Sequence, residues 1–142
     1  MRRTIITIAV IAFASALGAC GGKSAFELQV GDCFDDPSDT EVVKEVPERE
    51  CSEPHDNEVY ANRVMSNESW PGEEAVWDWA DEACLAEFEP YVGASYEASS
   101  LDFAWLVPTE ASWNGIDDRT VTCFLYDLDL EKLTGSVRNA GI

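Results

Sequence analysis

The chain is poor in basic residues. It carries nine lysine and arginine residues and one histidine against 28 acidic residues, so its formal net charge is -19 over 142 residues. Such a surface repels phosphates, which argues against nucleic acid and bare anionic lipid headgroups as partners. Cations and basic proteins are the compatible partners.

Common enzyme motifs are also missing. The sequence has no Gly-x-Ser-x-Gly nucleophile elbow, no glycine-rich phosphate loop and no Cys-x-x-Cys pair. His55 is the only imidazole, so a hydrolase hypothesis would depend on His55-Asp56 and a serine such as Ser52. Because these residues lie in a proline-containing turn, a structural role is the simpler interpretation. We therefore expect no catalytic residues, no metal and no other cofactor.

Long apolar runs are absent beyond the N-terminus. Residues 4–16 are mostly apolar and follow Met1-Arg2-Arg3, a layout typical of a bacterial secretory signal. The run is shorter than the ~20 apolar residues that a membrane-spanning helix needs. Leu17-Gly18-Ala19-Cys20 resembles a lipobox, which predicts cleavage before Cys20 and a lipid on its sulfur. The alternative is an ordinary signal peptide with an incidental cysteine.

This pattern predicts three segments: a lipoprotein signal peptide over 1–19, a short tether over 20–25 and one domain over 26–138. More than one acyl chain on Cys20 would give stable anchoring, since a single chain binds only marginally. We therefore expect the chain to be lipid-anchored at the outer face of the cytoplasmic membrane. Loss of the two arginines of the signal makes the mature charge about -21.

Hydrophobic periodicity predicts an α+β domain. Hydrophobic residues form 46% of the chain and aromatic residues 11%, which is too much for a disordered acidic protein. A helix is predicted over about 71–90, where the apolar residues Val76, Ala80, Cys84 and Phe88 recur at four-residue spacing. Strands are predicted at 26–30, 41–46, 57–64, 101–107, 119–126 and, as a short final strand, 133–137. This order favours a mainly antiparallel sheet packed against one principal helix.

Four cysteines remain if Cys20 is lipidated, an even number that implies two disulfides in an exported chain. Four cysteines allow three connectivities. We favour Cys33–Cys51, which closes a local loop, and Cys84–Cys123, which joins the helix to the strand of highest β-propensity. A zinc site is the rival interpretation, but the spacing of the cysteines and the oxidising compartment argue against it.

Exposed aromatic residues are the other candidates for function. Trp70, Trp105 and Trp113 are predicted to be partly exposed, and with His55 and Asp56 they form the predicted binding surface. Stacking of a glycan on these rings is one alternative and contact with a protein is another. For Trp77 and Trp79 on the helix, core packing is the default prediction.

The acidic segment Asp127-Leu128-Asp129-Leu130-Glu131 begins like a calcium loop. It then places Lys132 where an EF-hand loop needs a glycine, and no helix-loop-helix pattern surrounds it. We interpret it as a solvated edge with weak affinity for cations.

Several segments together carry a family resemblance. In chain order they are Gly31-Asp32-Cys33-Phe34, Cys51-Ser52-Glu53-Pro54-His55, Trp70-Pro71-Gly72, Asp118-Arg119-Thr120-Val121-Thr122-Cys123 and Leu133-Thr134-Gly135-Ser136. This series resembles the septum formation domain family of actinobacterial envelope proteins over about residues 31–138. The resemblance implies a membrane-anchored or lipidated extracytoplasmic domain linked to division septa, and it brings no catalytic residues.

The sequence thus predicts a non-enzymatic envelope lipoprotein that binds an envelope or division protein and is linked to septum formation. Two alternatives stay open: an extracytoplasmic module that binds cell-wall glycan or a cation, and a hydrolase that depends on His55.

Overall fold

A computed structural model describes residues 21–38 and 42–142. The predicted signal peptide and Cys20 lie outside the described residues. The strands and helices are β1 Gly22–Ser24, β2 Cys33–Phe34, β3 Glu45–Arg49, β4 Asn57–Val64, α1 Glu73–Val92, β5 Leu101–Leu106, α2 Glu110–Ile116 and β6 Thr120–Asp127, with 3-10 turns at Ala25–Glu27 and Tyr96–Ala98. No helix within these described ranges is both long and apolar enough to cross a membrane.

The strands form one six-stranded sheet in the order β1-β3-β2-β4-β6-β5, and every neighbouring pair is antiparallel. Its longest strands, β4 and β6, are eight residues each and lie next to each other, with β5 at one edge of the sheet. The predicted α+β fold, with a mainly antiparallel sheet and one principal helix, is confirmed.

Two hydrophobic clusters lie on opposite faces of the sheet. Cys123 and Phe124 are adjacent in β6, so their side chains point to opposite faces. Cys123 belongs to the larger cluster, which lies under α1 and includes the buried helix positions Val76, Ala80, Cys84 and Phe88. Phe124 packs edge-on against Phe34 in the smaller cluster, with ring centroids 5.4 Å apart. The four-residue spacing therefore identified the buried face of α1 correctly.

Both predicted disulfides are present. Cys33–Cys51 joins β2 to the turn after β3, and Cys84–Cys123 joins α1 to β6. Cys84 and Cys123 are fully buried in the larger cluster. The second bond thus links the helix to the sheet through the centre of the core.

The predicted tether and the strand after it are corrected. Residues 22–24 form β1, which pairs with β3, and a 3-10 turn replaces the first part of the strand predicted at 26–30. Lys23 anchors β1 through salt bridges to Asp32 and Glu48. The alternation of apolar residues predicted the first strand at the wrong place, because β1 is held by backbone pairing and ion pairs and not by burial of apolar side chains.

Two further strand predictions differ from the structure. The strand predicted at 41–46 is observed at Glu45–Arg49 and continues through Pro47, whose carbonyl accepts the N–H of Asp35. Of the strand predicted at 133–137, only a bridge between Leu133 and His55 is observed among the described residues.

Helix α1 begins two residues later and ends two residues beyond the predicted range. Pro90 lies in its last turn, where the missing N–H removes one hydrogen bond without breaking the helix. Gly93 ends it in the left-handed region, at a φ of 83°, and donates its N–H to Glu89 O.

Helix α2 was not predicted. The sequence around Asn114-Gly115 indicates a turn, but the structure shows a helix that begins after Thr109. The side chains of Thr109 and Ser112 each accept the other residue's backbone N–H, forming a capping box. A local cap therefore outweighed the turn preference of Asn-Gly.

Candidate functional site

The five residues predicted as a binding surface do not form one site. Their contacts divide them into a buried residue beside a disulfide (His55), a salt-bridged carboxylate (Asp56), one aromatic pair (Trp70 with Trp113) and a second aromatic pair that includes Trp105.

His55 is 0% exposed, so it does not belong to a binding surface. Its backbone N–H and C=O pair with Leu133 at 3.0 and 2.9 Å, and this bridge draws the side chain into the protein. The ring Nδ1 lies 2.8 Å from the carbonyl oxygen of Glu53, which can only accept, so Nδ1–H donates. Among the described residues Nε2 has no hydrogen-bond partner, and no serine hydroxyl bonds to the ring. This geometry does not support a hydrolase based on His55.

Asp56 is held in an ion cluster. One carboxylate oxygen lies 2.8 Å from Lys132 Nζ, and the other accepts the N–H of Asp36 at 3.0 Å. Lys132 also contacts Asp35 at 2.9 Å, and the hydrogen bonds to these two acids raise the pKa of Lys132. Lys132 therefore supplies the positive charge between the carboxylates of Asp35 and Asp56.

Glu58 is a buried acid that the sequence analysis missed. It is 0% exposed, and its carboxylate accepts hydrogen bonds from the hydroxyl of Tyr91 at 2.6 Å, the hydroxyl of Ser136 at 2.6 Å and the N–H of Val137 at 2.8 Å. A buried carboxylate is tolerated when hydrogen bonds replace its water. Glu58 therefore ties the C-terminal segment to β4. Its position between Asn57 and Val59, inside a predicted strand, was the available signal.

The same region brings three metal-ligating residue types together. Cys33 Sγ, a ring nitrogen of His55 and a carboxylate oxygen of Glu58 lie within 4.8 Å of one another. Metals bind the thiolate form of cysteine, and the sulfur of Cys33 is instead bonded to Cys51. The oxidised chain therefore offers two donors here, and the Glu58 oxygens already accept three hydrogen bonds. We interpret the cluster as structural.

Alkaline pH is expected to destabilise the fold through Tyr91. Burial, and then the hydrogen bond to Glu58, raises the pKa of Tyr91 to about 12, whereas tyrosine in the unfolded chain titrates near 10. Between these values the folded chain keeps a proton that the unfolded chain releases, so the free energy of unfolding falls as the pH rises. Burial, and then the hydrogen bond to Asp102, likewise raises the pKa of Tyr126 to about 12.

Urea denaturation at a series of pH values above 9 measures how steeply the free energy of unfolding falls with pH. Tyr91→Phe should make the slope shallower, and an unchanged slope would contradict the assignment.

Trp113 was predicted to be partly exposed, and this prediction is wrong: it is 1% exposed. Helix α2 turns the ring into the larger cluster, where it packs edge-on against Trp70 with centroids 5.4 Å apart. The Arg119 guanidinium lies 3.8 Å from the centre of the Trp113 ring and donates a hydrogen bond to the backbone carbonyl of Trp113. Trp70 is partly buried in the same contact. This aromatic pair stabilises the fold and offers little surface to a ligand.

A second aromatic pair lies at the surface where α1 meets the edge strand β5. Trp77 and Trp105 stack with ring centroids 6.3 Å apart and planes 26° apart. Trp77 is 42% exposed, which corrects the prediction that it packs in the core. The indole N–H of Trp105 donates to Asp81 at 2.7 Å, and exposed Leu85 follows one turn later on α1. Trp77, Asp81, Leu85 and Trp105 together are called the Trp77–Trp105 surface below.

A family model described as septum formation matches residues 22–139 of the chain. The match covers most of the chain and all of its strands and helices. This chain belongs to the septum formation family. No curated protein and no solved structure matches it.

The septum formation domain starts at β1, four residues before the domain boundary expected from the sequence. Within the domain, Trp105 is the one member of the predicted binding surface that lies in an exposed aromatic pair. For the partner ring, Trp77, core packing is the default prediction from the sequence. The angular position of Trp77 on the helix lies between those of the buried residues Ala80 and Phe88, so helical spacing alone does not reveal its exposure.

Proposed function

We propose that this member of the septum formation family is a non-enzymatic lipoprotein of the cell envelope. In this proposal Cys20 carries the lipid, the domain is held at the outer face of the cytoplasmic membrane, and it acts in septum formation by binding an envelope or division protein. The family match over residues 22–139 is the observation that supports a role in division. The Trp77–Trp105 surface supports the binding of a partner, since exposed tryptophans are enriched at protein interfaces.

The sheet order separates β1, which the proposed anchor precedes in the sequence, from the Trp77–Trp105 surface. Gly22, the first residue of β1, is two residues after Cys20, so a lipid on Cys20 would hold the β1 edge within roughly 7 Å of the bilayer surface. Strands are about 4.8 Å apart, so β5 at the other edge lies roughly 24 Å from β1 across the sheet. A membrane-anchored domain would therefore present the Trp77–Trp105 surface away from the lipid attachment point.

A second candidate function is the binding of a cell-wall glycan at the same surface. Stacked indole rings beside a carboxylate, as in Trp77, Trp105 and Asp81, offer an apolar face together with a hydrogen-bond acceptor. The same residues would then contact a sugar in place of a protein.

Localisation in cells tests the proposed function. In cells that lack their own copy, a tagged wild-type chain is expected in the membrane fraction and at division septa. Cys20→Ser should move the protein out of the membrane fraction, because it removes the lipid attachment site. Trp77→Ala should leave it in the membrane fraction but remove its enrichment at septa.

Leu130→Ala is the matched control for Trp77→Ala, because Leu130 is also an exposed apolar residue but lies outside the Trp77–Trp105 surface. It should behave like the wild type. A uniform distribution of the wild-type chain, together with normal septum spacing in the deletion strain, would overturn the proposal.

A further inference from the structure

We propose that the Trp77–Trp105 surface binds a lysine- or arginine-rich segment of a protein partner. This inference rests on the proposed partner-binding function and adds the chemistry of the partner. The site is a cation–π platform bordered by carboxylates.

The aromatic part of the site is set by the packing of α1 on β5. The near-parallel stacking of Trp77 and Trp105 places two indole rings side by side at the margin of the helix. The faces of tryptophan rings attract ammonium and guanidinium groups more strongly than those of other aromatic residues. Partial exposure of Trp77 leaves part of this ring within reach of a ligand.

The acidic part of the site is set by the sequence of α1. Helix α1 contains seven acidic residues and no lysine or arginine. Glu74 and Asp81 are three residues before and four residues after Trp77, so they neighbour it along the same side of the helix. Asp81 Oδ1 accepts the indole N–H of Trp105, which fixes this carboxylate beside the rings.

Within the part of the chain that the structure describes, no salt bridge neutralises Glu74 or Asp81. Across residues 21–38 and 42–142, the salt bridges of α1 are confined to Glu87, which pairs with Arg63 of β4. Glu87 lies ten residues after Trp77, near the other end of the helix. The carboxylates around Trp77 therefore present negative charge to solvent, and a basic side chain on the rings would gain both cation–π and ionic contacts.

The charge decides between classes of ligand. An anionic polymer or lipid headgroup would be repelled by Glu74, Asp78 and Asp81. A neutral glycan would use the rings but gain little from the surrounding charge. A basic segment uses both features, and the net charge of the whole chain would accelerate its encounter with such a partner.

A short synthetic peptide of alternating lysine and glycine is the probe. The folded chain without its signal peptide is titrated with it, and binding is followed by tryptophan fluorescence and by the indole N–H resonance of Trp105. We expect both signals to change with the lysine peptide and to stay unchanged with a glutamate–glycine peptide or an N-acetylglucosamine oligosaccharide.

The variants separate a specific site from general attraction to an acidic protein. Trp77→Ala changes no charge and should weaken binding roughly tenfold, the size expected for a cation–π contact. Asp81→Asn should weaken it by a similar factor. Glu131→Gln removes the same charge from an exposed acid outside the surface and should change affinity by less than about twofold. Circular dichroism checks that each variant is folded, and Asp81→Asn keeps the test valid if Trp77→Ala fails to fold.

Three results would overturn the inference: equal loss of affinity in Asp81→Asn and Glu131→Gln, binding of the oligosaccharide in place of the lysine peptide, or no binding of either. These results are distinguishable from failure of the proposed function. If Trp77→Ala removes septal enrichment although the lysine peptide does not bind, the proposed function stands and the basic partner is wrong. If the peptide binds as expected but the Trp77→Ala protein is enriched at septa like the wild type, the basic-segment binding stands and the proposed role of this surface in septum formation is wrong.

Discussion

Replacing both Cys84 and Cys123 by alanine is expected to lower the free energy of unfolding by about 4 kcal/mol. The two cysteines are 39 residues apart, so their bond greatly restricts the unfolded chain. Both side chains are also fully buried between α1 and β6, where loss of two sulfur atoms removes packing contacts. Since domains of this size are stable by roughly 5–15 kcal/mol, such a loss should leave the protein close to unfolding at 37 °C.

Urea denaturation of the oxidised proteins measures this effect. The matched comparison is the alanine replacement of Cys33 and Cys51, which are 18 residues apart and should cost about 3 kcal/mol by the same entropic argument. The Cys84–Cys123 bond is therefore expected to matter more. The prediction is wrong if its removal costs less than removal of the Cys33–Cys51 bond.

Glu58→Ala is expected to lower the free energy of unfolding by about 3–5 kcal/mol. The carboxylate has no solvent exposure and accepts the hydrogen bonds of Tyr91, Ser136 and Val137. Alanine would leave these donors without their acceptor and create a cavity. The C-terminal segment, which Ser136 and Val137 attach to β4, should separate from the sheet first. Hydrogen exchange of the Val137 amide, compared with the chemical denaturation midpoint, measures both effects.

Glu58→Gln separates the hydrogen bonds from the side-chain volume. The amide keeps one oxygen for the hydroxyl donors but would place an NH₂ group against the N–H of Val137. Its expected cost is about 1–3 kcal/mol. Glu50→Ala is the control, because Glu50 is exposed and its change should stay within about 0.5 kcal/mol. A cost below about 1 kcal/mol for Glu58→Ala would show that the carboxylate is not an essential acceptor.

Much of the fold could be read from local patterns. The β4 range was predicted residue for residue, and β5 and β6 were predicted to within one residue at each end. Each has a run of β-branched or aromatic residues bounded by turn residues, so local preference and tertiary packing agree. The short strands β1 and β2 lack such runs, and their formation depends on pairing with β3.

The residues of the Trp77–Trp105 surface were harder to predict from the sequence than the strands. Trp105 and Trp113 both look like exposed aromatic residues in the sequence, yet Trp113 is buried by α2 and only Trp105 forms part of an exposed pair. Tertiary contacts between segments that are distant in the sequence decide which tryptophan rings stack. Trp77 lies near the start of α1 and Trp105 near the end of β5, so most of both elements lies between them in the sequence.

The lipobox-like Cys20, the acidic charge, the four remaining cysteines and the class of the fold were determined by the sequence itself, because each depends on residue types and short spacings. The burial of His55 and Glu58, the removal of Trp113 from the surface and the stacking of Trp77 on Trp105 were decided only by the tertiary structure. The physical reason is that burial of a polar or aromatic side chain depends on what other segments place around it. The sequence shows a glutamate in the same way whether or not three hydrogen-bond donors surround its carboxylate in the fold.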